Sequence, residues 1–454
     1  MRPLFFLTFL MTCMISFSQD HETMIRRVYD HVLTDGHVYD NLKYLCKEIG
    51  PRFSGSPQAA AAVEYTYQLM KDYDFDTVFL QPVMVPRWVR GNTETVRVTN
   101  SKTRGTLDLS CSSLGNSVGT GSGGVLGNVV EVSGMQEVEK LGKKLEDKIV
   151  FYNGPMDPTL LETFRSYGNA VIQRAYGASE AAKYGAKAVI IRSMSNTIND
   201  IPHTGSLRYK PNMPRIPAIA ISTKDAEMLS DMISEQEDLK IYMENHCELK
   251  DEVQSYNVIG QLNGAEAPNE IIAVGGHLDS WDVGEGAHDD GSGCMQAIEA
   301  LRALKELNYR PKRTLRAVMW MNEENGLRGG RTYAELAALN RENHIAAIES
   351  DRGGFTPHGF TMNGDEEQMA KVRSWKPLFT PYHLWSWDRI GGGADIGPLA
   401  PQGTLLIGLL PDAQRYFQYH HTPADVFETV NQRELELGAA AMSSLLYLLD
   451  QEGL

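Results

Sequence analysis

Ile271-Ile272-Ala273-Val274-Gly275-Gly276-His277-Leu278-Asp279 decides how this chain reads. A short run of branched and small apolar residues without polar alternation has the character of a strand covered on both faces, as in a parallel sheet. The run ends abruptly in polar residues. The same order recurs twice: Ala317-Val318-Met319-Trp320-Met321 ends in Asn322-Glu323-Glu324, and Ile345-Ala346-Ala347-Ile348 ends in Glu349-Ser350-Asp351. Helical patterns start at Gly293 and near Gly329, a strand signal covers 403–409, and a closing helix is expected over 434–449. Alternation of this kind predicts an α/β fold, a doubly wound sheet with helices on both faces.

Working outward, Ser56-Pro57 supplies an N-cap and a first-turn proline for an Ala-rich helix to about Lys71, and strand signals follow at 77–85 and 95–98. From Leu114 the texture changes to a Gly-Ser-rich stretch, short strands at 128–132, 148–152, 188–191 and 216–221, and a helix over 175–184. This predicts a β-rich module at 114–243 inserted between two parts of the larger domain, 19–113 and 244–454. The excess of 58 acidic over 43 basic residues, with no Lys/Arg run, argues against nucleic acid and anionic membranes as partners.

Met1-Arg2, the apolar run Leu4–Met11 and the small residues Ser16 and Ser18 predict a signal peptide over 1–18, a mature chain from Gln19 and a secreted or periplasmic product. Thr12 and Met14-Ile15 argue against a lipid anchor at Cys13. No later stretch reaches the ~18 apolar residues of a membrane span. Cys46, Cys111, Cys247 and Cys294 show no zinc-finger spacing, and buried free thiols are preferred over disulfides, whose pairing the sequence leaves open.

In doubly wound sheets ligands gather beyond the carboxyl ends of the strands. His277, Asp289, Glu324, Asp351 and His421 stand at such ends or in the polar loops 286–293 and 419–425. Two imidazoles with several carboxylates and no thiolate suit zinc, and the set is large enough for two ions sharing one bridging carboxylate. Glu323, beside Glu324 and facing another way, is the candidate general base. Each residue type has an ordinary use, such as a solvated Glu pair or an Asp turn; their joint appearance at successive strand ends is what points to chemistry. His288 and His420 are read as structural.

These residues also carry a resemblance. Gly276-His277-Leu278-Asp279-Ser280, Gly286-Ala287-x-Asp289-x-x-Ser292-Gly293, Glu323-Glu324, Glu349-Ser350-Asp351 and His421-x-x-x-Asp425 resemble the co-catalytic zinc exopeptidases, with glutamate carboxypeptidase II and bacterial aminopeptidases among their members. Segments 50–56, 88–91, 277–284 and 311–315 are most similar to the carboxypeptidase Q-like branch. The resemblance implies a phosphorylase/hydrolase-like mixed sheet with a protease-associated-like insert, two Zn2+ per chain, small peptide substrates and a homodimer. It assigns His277, Asp289 and Asp351 to one zinc, Asp289, Glu324 and His421 to the other, and Glu323 to proton transfer. It further implies that the Asp279 carboxylate orients His277, and that the Asp289-Asp290 peptide is cis. Arg352, directly after Asp351, is a candidate contact for a substrate carboxylate; its ordinary use would be to neutralise nearby acids. Dipeptidase action leads. An aminopeptidase, a glutaminyl cyclase-like acyltransferase and an inactive receptor-like ectodomain stay open.

Overall fold

Four apolar runs become the centre of the molecule: Ala267–His277, Arg313–Trp320, Asn343–Glu349 and Leu405–Pro411 lie parallel, with Ala267–His277 between the second and third. In the computed structural model, which describes residues 20–92 and 94–454, these strands are buried beyond their amino-terminal residues because helices cover both faces. Side chains alternate across the sheet as strand geometry requires. Ile272 and Val274 enter the large core beneath helices Ser292–Glu306 and Gln432–Glu452, whereas Ala273 joins a smaller core with Tyr333 of helix Arg328–Asn340. Antiparallel strands complete this sheet: Glu248–Leu262 and then Thr77–Val89 beyond one edge, and Pro357–Asn363 at the other. The helix expected after Ser56 runs Pro57–Asp72, with the Ser56 side chain accepting the Ala59 N–H at 3.0 Å.

Among the described residues the strands form two mixed sheets, of seven and eight strands. The second has its own parallel centre, Val125–Val132, Ile149–Tyr152, Ala188–Arg192 and Ala218–Ile221. Helix Thr163–Ala182 covers one face through Ala178 and Ala181, and helix Thr223–Glu235 covers the other through Leu229 and Met232. The expected module boundaries of 114 and 243 need correction against this sheet. Its strands start at Glu94–Ser101 and end at Lys240–Asn245, so Gly105–Leu109 and Cys111–Ser113 belong to it as well. The Gly-Ser-rich stretch is a connection inside the module. Gly115 is required there, because a Cβ would stand 1.9 Å from the Trp281 ring.

The two parts share a core: Phe355, Tyr416 and Phe417 of the larger unit pack with Tyr152, Ala178 and Ile191 of the smaller. Cys46, Cys111, Cys247 and Cys294 are free thiols, Cys111 only half-buried. No described helix is long and apolar enough to cross a membrane. The expected signal peptide and Cys13 lie outside the described residues.

Candidate active site

Because the four parallel strands run the same way, their carboxyl ends deliver His277, the Asn322–Glu324 turn and Asp351 to one side of the sheet. His277 closes its strand. Its main-chain N–H is accepted by Asp290 Oδ2 at 3.0 Å, and Asp290 Oδ1 accepts the Gly293 N–H at 3.1 Å. Only glycine fits before it, since a Cβ on Gly276 would lie 2.2 Å from Asp290 Oδ2. The neighbouring Asp289-Asp290 peptide is cis. Asp425 fixes the same loop from the other side, its carboxylate accepting the N–H groups of His288 at 2.7 Å and Asp289 at 3.1 Å.

Asp289 thereby stands between the two histidines. Its Oδ1 is 3.2 Å from His277 Nε2 and its Oδ2 is 3.3 Å from His421 Nε2. Asp351 Oδ1 lies 3.5 Å from His277 Nε2, and Glu324 Oε2 lies 3.1 Å from His421 Nε2. Each histidine thus forms a trio with two carboxylates, Asp289 being common to both, while the groups whose donor atoms are close enough for one ion are, among the described residues, His277–Asp289–Glu324, His277–Asp290–Asp351 and Asp289–His420–His421. His277, Asp289, Glu324, Asp351 and His421 all border, together with Glu323, one cleft of about 630 Å³ that has helix Thr163–Ala182 of the insert as a wall.

So many buried acids disfavour ionisation in the absence of a cation. Burial pushes the Glu323 carboxyl up to about 8, His277 opposing and Asp351 and Asp279 adding to the rise. Burial also raises Glu349 to about 7, with Asp351 adding to it. Asp289 Oδ2 and Glu324 Oε1 are buried without a hydrogen-bond partner among the described residues. Uncompensated polar atoms of this kind call for a partner, and a divalent cation is one that nitrogen and oxygen donors without thiolate would hold.

The structure corrects the reading of Asp279. His277 Nδ1 stands 2.9 Å from the main-chain oxygen of Asp279, not from its carboxylate. The carboxylate turns to the next strand end, where Oδ1 accepts the N–H groups of Asn322 at 2.6 Å and Glu323 at 3.0 Å. A strand-end carbonyl two residues on already holds the imidazole, which frees the side chain to fix the turn that carries both glutamates. His288 is structural: it stacks on Phe355 at 4.2 Å between ring centres and accepts the Gly354 N–H. His420 sits closer to the centre than its sequence position suggests, stacked 3.5 Å from the His421 ring with Nε2 3.8 Å from Asp289 Oδ2.

Other supports had weak signals or none. Asp290 and Asp425 belong to the motifs that contain the candidate ligands, so adjacency could have found them. Glu349 accepts the N–H groups of Ala394 and Ile396, both at 2.9 Å, and so ties the 393–396 turn to the strand end. The insert reaches the centre through residues that no motif marks. Arg174 Nη1 is 3.4 Å from His421 Nδ1, and the Thr204 N–H is donated to the His421 main-chain oxygen at 3.0 Å. Arg352 stacks its guanidinium 4.8 Å from the centre of the Phe164 ring.

The description "Peptidase family M28" belongs to the family model that matches residues 257–446. Carboxypeptidase Q of Bos taurus is 34% identical over 411 residues, 90% of this chain and 84% of that protein. Carboxypeptidase Q of Xenopus laevis is 35% identical over 419 residues, 92% and 87% of the two chains. The crystal structure of a peptidase M28 precursor from Shewanella amazonensis SB2B superposes with a TM-score of 0.90 at 30% identity, covering 96% of this chain and 98% of that one. With the same fold, a homologous chain along nearly its full length and buried His, Asp and Glu clusters that could hold a metal ion, this protein belongs to peptidase family M28 and is a zinc-dependent peptidase.

Proposed function

We propose that the protein is a secreted or periplasmic exopeptidase that hydrolyses dipeptides or short peptides with two Zn2+ per chain. The observation that carries this reading is Asp289, whose two oxygens face His277 and His421 separately, in a cleft that Glu323 borders with them. His277, Asp289 and Asp351 would hold one ion, and Asp289, Glu324 and His421 the other. Zinc at such a centre supplies Lewis acidity toward the scissile carbonyl and toward water.

The chain's own residues do the rest. Glu323 accepts a proton from the attacking water and returns it to the amine that leaves. Asp279, Asp290 and Asp425 hold the main chain from which the ligands and Glu323 project. Arg352 borders a cavity beside Asp351, which supports a role in binding the free carboxylate of a short peptide. The likeness to carboxypeptidase Q supports the same polarity of substrate. The domain organisation we favour is a signal peptide, a peptidase unit in two parts and one insert whose sheet spans 94–245. A homodimer fits the family likeness.

Metal analysis of the purified protein, combined with free, N-blocked and C-amidated dipeptides, tests the reading. Two zinc ions per chain and loss of turnover on C-amidation are expected. Turnover that survives amidation and fails on N-blocking replaces it with an aminopeptidase. One zinc ion would point to a cyclase-like acyltransferase, and no turnover to a binding ectodomain.

A further inference from the structure

Beside Asp351 lies a cavity of about 290 Å³, bordered also by Glu349, Gly393 and Ala394. A second cavity of about 280 Å³ is bordered by Leu161, His358, Trp385 and Arg389. Phe164 and Arg352 border both. They come from different units, Phe164 from the first turn of helix Thr163–Ala182 in the insert and Arg352 from the loop after strand Asn343–Glu349. Their separation of 4.8 Å is a cation–π contact, and it places the pair as a partition between the two spaces.

The partition is braced. The Phe164 ring stacks on Tyr416 with centres 5.1 Å apart and meets Phe417 at 5.0 Å, so its position is fixed by the shared core. Next to the outer cavity, Arg389 pairs with Glu162 at 2.6 Å, and Leu161 and Trp385 are exposed. The inner cavity, at about 290 Å³, is just under the ~300–1,000 Å³ of small-ligand pockets. An extended peptide advances about 3.3–3.6 Å with every residue, so a chain entering beside Asp351 soon meets the stack.

We propose that the Arg352–Phe164 stack is the wall that sets the length of peptide the enzyme accepts. A short peptide end fills the cavity beside Asp351, and each further residue on that side must displace the stack to reach the outer cavity. This rests on the peptidase reading given above and deepens it. It also gives the insert a defined part in substrate selection.

The test is kcat/KM of the zinc-loaded full chain on a dipeptide and on tri- and tetrapeptides extended on either side of the same scissile bond. For the native enzyme the tetrapeptides of one series should be at least tenfold poorer than the dipeptide. Phe164→Ala and Arg352→Ala should each raise the rate on that series at least tenfold. Arg352→Met should not, because an unbranched thioether keeps the cover on the ring without the charge. Structural damage lowers rates and cannot produce this gain. The openings lie on separate elements, and Phe164→Leu is a milder variant if either fails to fold. Equal native rates on all lengths, or Ala variants that hydrolyse dipeptides without gaining on tetrapeptides, overturn the wall while leaving the peptidase reading intact. A zinc-loaded native enzyme that hydrolyses no peptide overturns both.

Discussion

Asp279 Oδ1 accepts the main-chain N–H of Glu323 at 3.0 Å, and the same oxygen accepts that of Asn322 at 2.6 Å. One buried carboxylate at the end of the central strand therefore fixes the turn on which the proposed base and a proposed ligand are adjacent. Burial pushes this carboxyl up, while His277 and the two N–H donors hold it down. Removing it leaves two buried donors unsatisfied, at about 1–3 kcal/mol each. Asp279→Ala should lower Tm and reduce kcat by about 10²-fold through a displaced Glu323. Asp279→Asn keeps an acceptor and should recover much of both. Thermal melts and steady-state kinetics on the three proteins decide this; equal loss in both variants would return the role to charge rather than to positioning.

Glu323 and Glu324 should separate cleanly. Both border the cleft, but Glu324 Oε2 is 3.1 Å from His421 Nε2, inside a trio, whereas Glu323 belongs to neither trio. Glu323→Ala should retain zinc and lose about 10²–10⁴-fold in kcat, the usual contribution of a general base. Glu324→Ala should lose zinc. Metal content measured beside turnover checks both, and near-normal turnover of Glu323→Ala would remove its assignment.

The central strands were legible because a parallel sheet covered on both faces demands unbroken apolar runs, and His277, Glu324 and Asp351 were legible because such strands deliver their ends to one place. What escaped reading had no side-chain signature. The bond to His277 Nδ1 comes from a main-chain oxygen, which residue identity does not report. The start of the insert was missed because Glu94–Ser101 alternates like any half-buried strand, and nothing in it names the sheet it joins. Glu248–Leu262 begins with five exposed residues and so lacks the apolar period of a strand; its pairing with Thr77–Val89 supplies the order. Arg174 and Phe164 meet the site only through the docking of the insert, a contact between segments some 190 to 250 positions apart along the chain.

Export should remove residues 1–18. The basis is the apolar run 4–11 followed by Ser16 and Ser18. Mass measurement of the exported chain should give a mature N-terminus at Gln19. A retained Met1, or lipid on Cys13, would contradict it.

Acid should weaken the fold at a site remote from the proposed metals. His344 is buried at the start of strand Asn343–Glu349, with Nε2 2.7 Å from the Tyr333 hydroxyl; its Nδ1 has no described partner. Burial, with the Arg316 guanidinium nearby, brings its imidazole down to about 3. Glu342 is 3.9 Å away, but Arg316 holds it at 2.8 Å. In the unfolded chain the same group takes up a proton near 6.5, so below that pH the unfolded state binds more protons than the folded one. Its stabilising share is complete above about 6.5 and falls as pH drops toward 3. The limiting slope is about 1.4 kcal/mol per pH unit for one proton. His344→Gln removes the titration at the cost of packing, so it should be less stable than the native chain at pH 7, with the gap narrowing as pH falls to 4.5. Urea unfolding midpoints of both metal-stripped proteins across that range measure the gap. A gap independent of pH would mean that His344 titrates in the folded protein as it does in water.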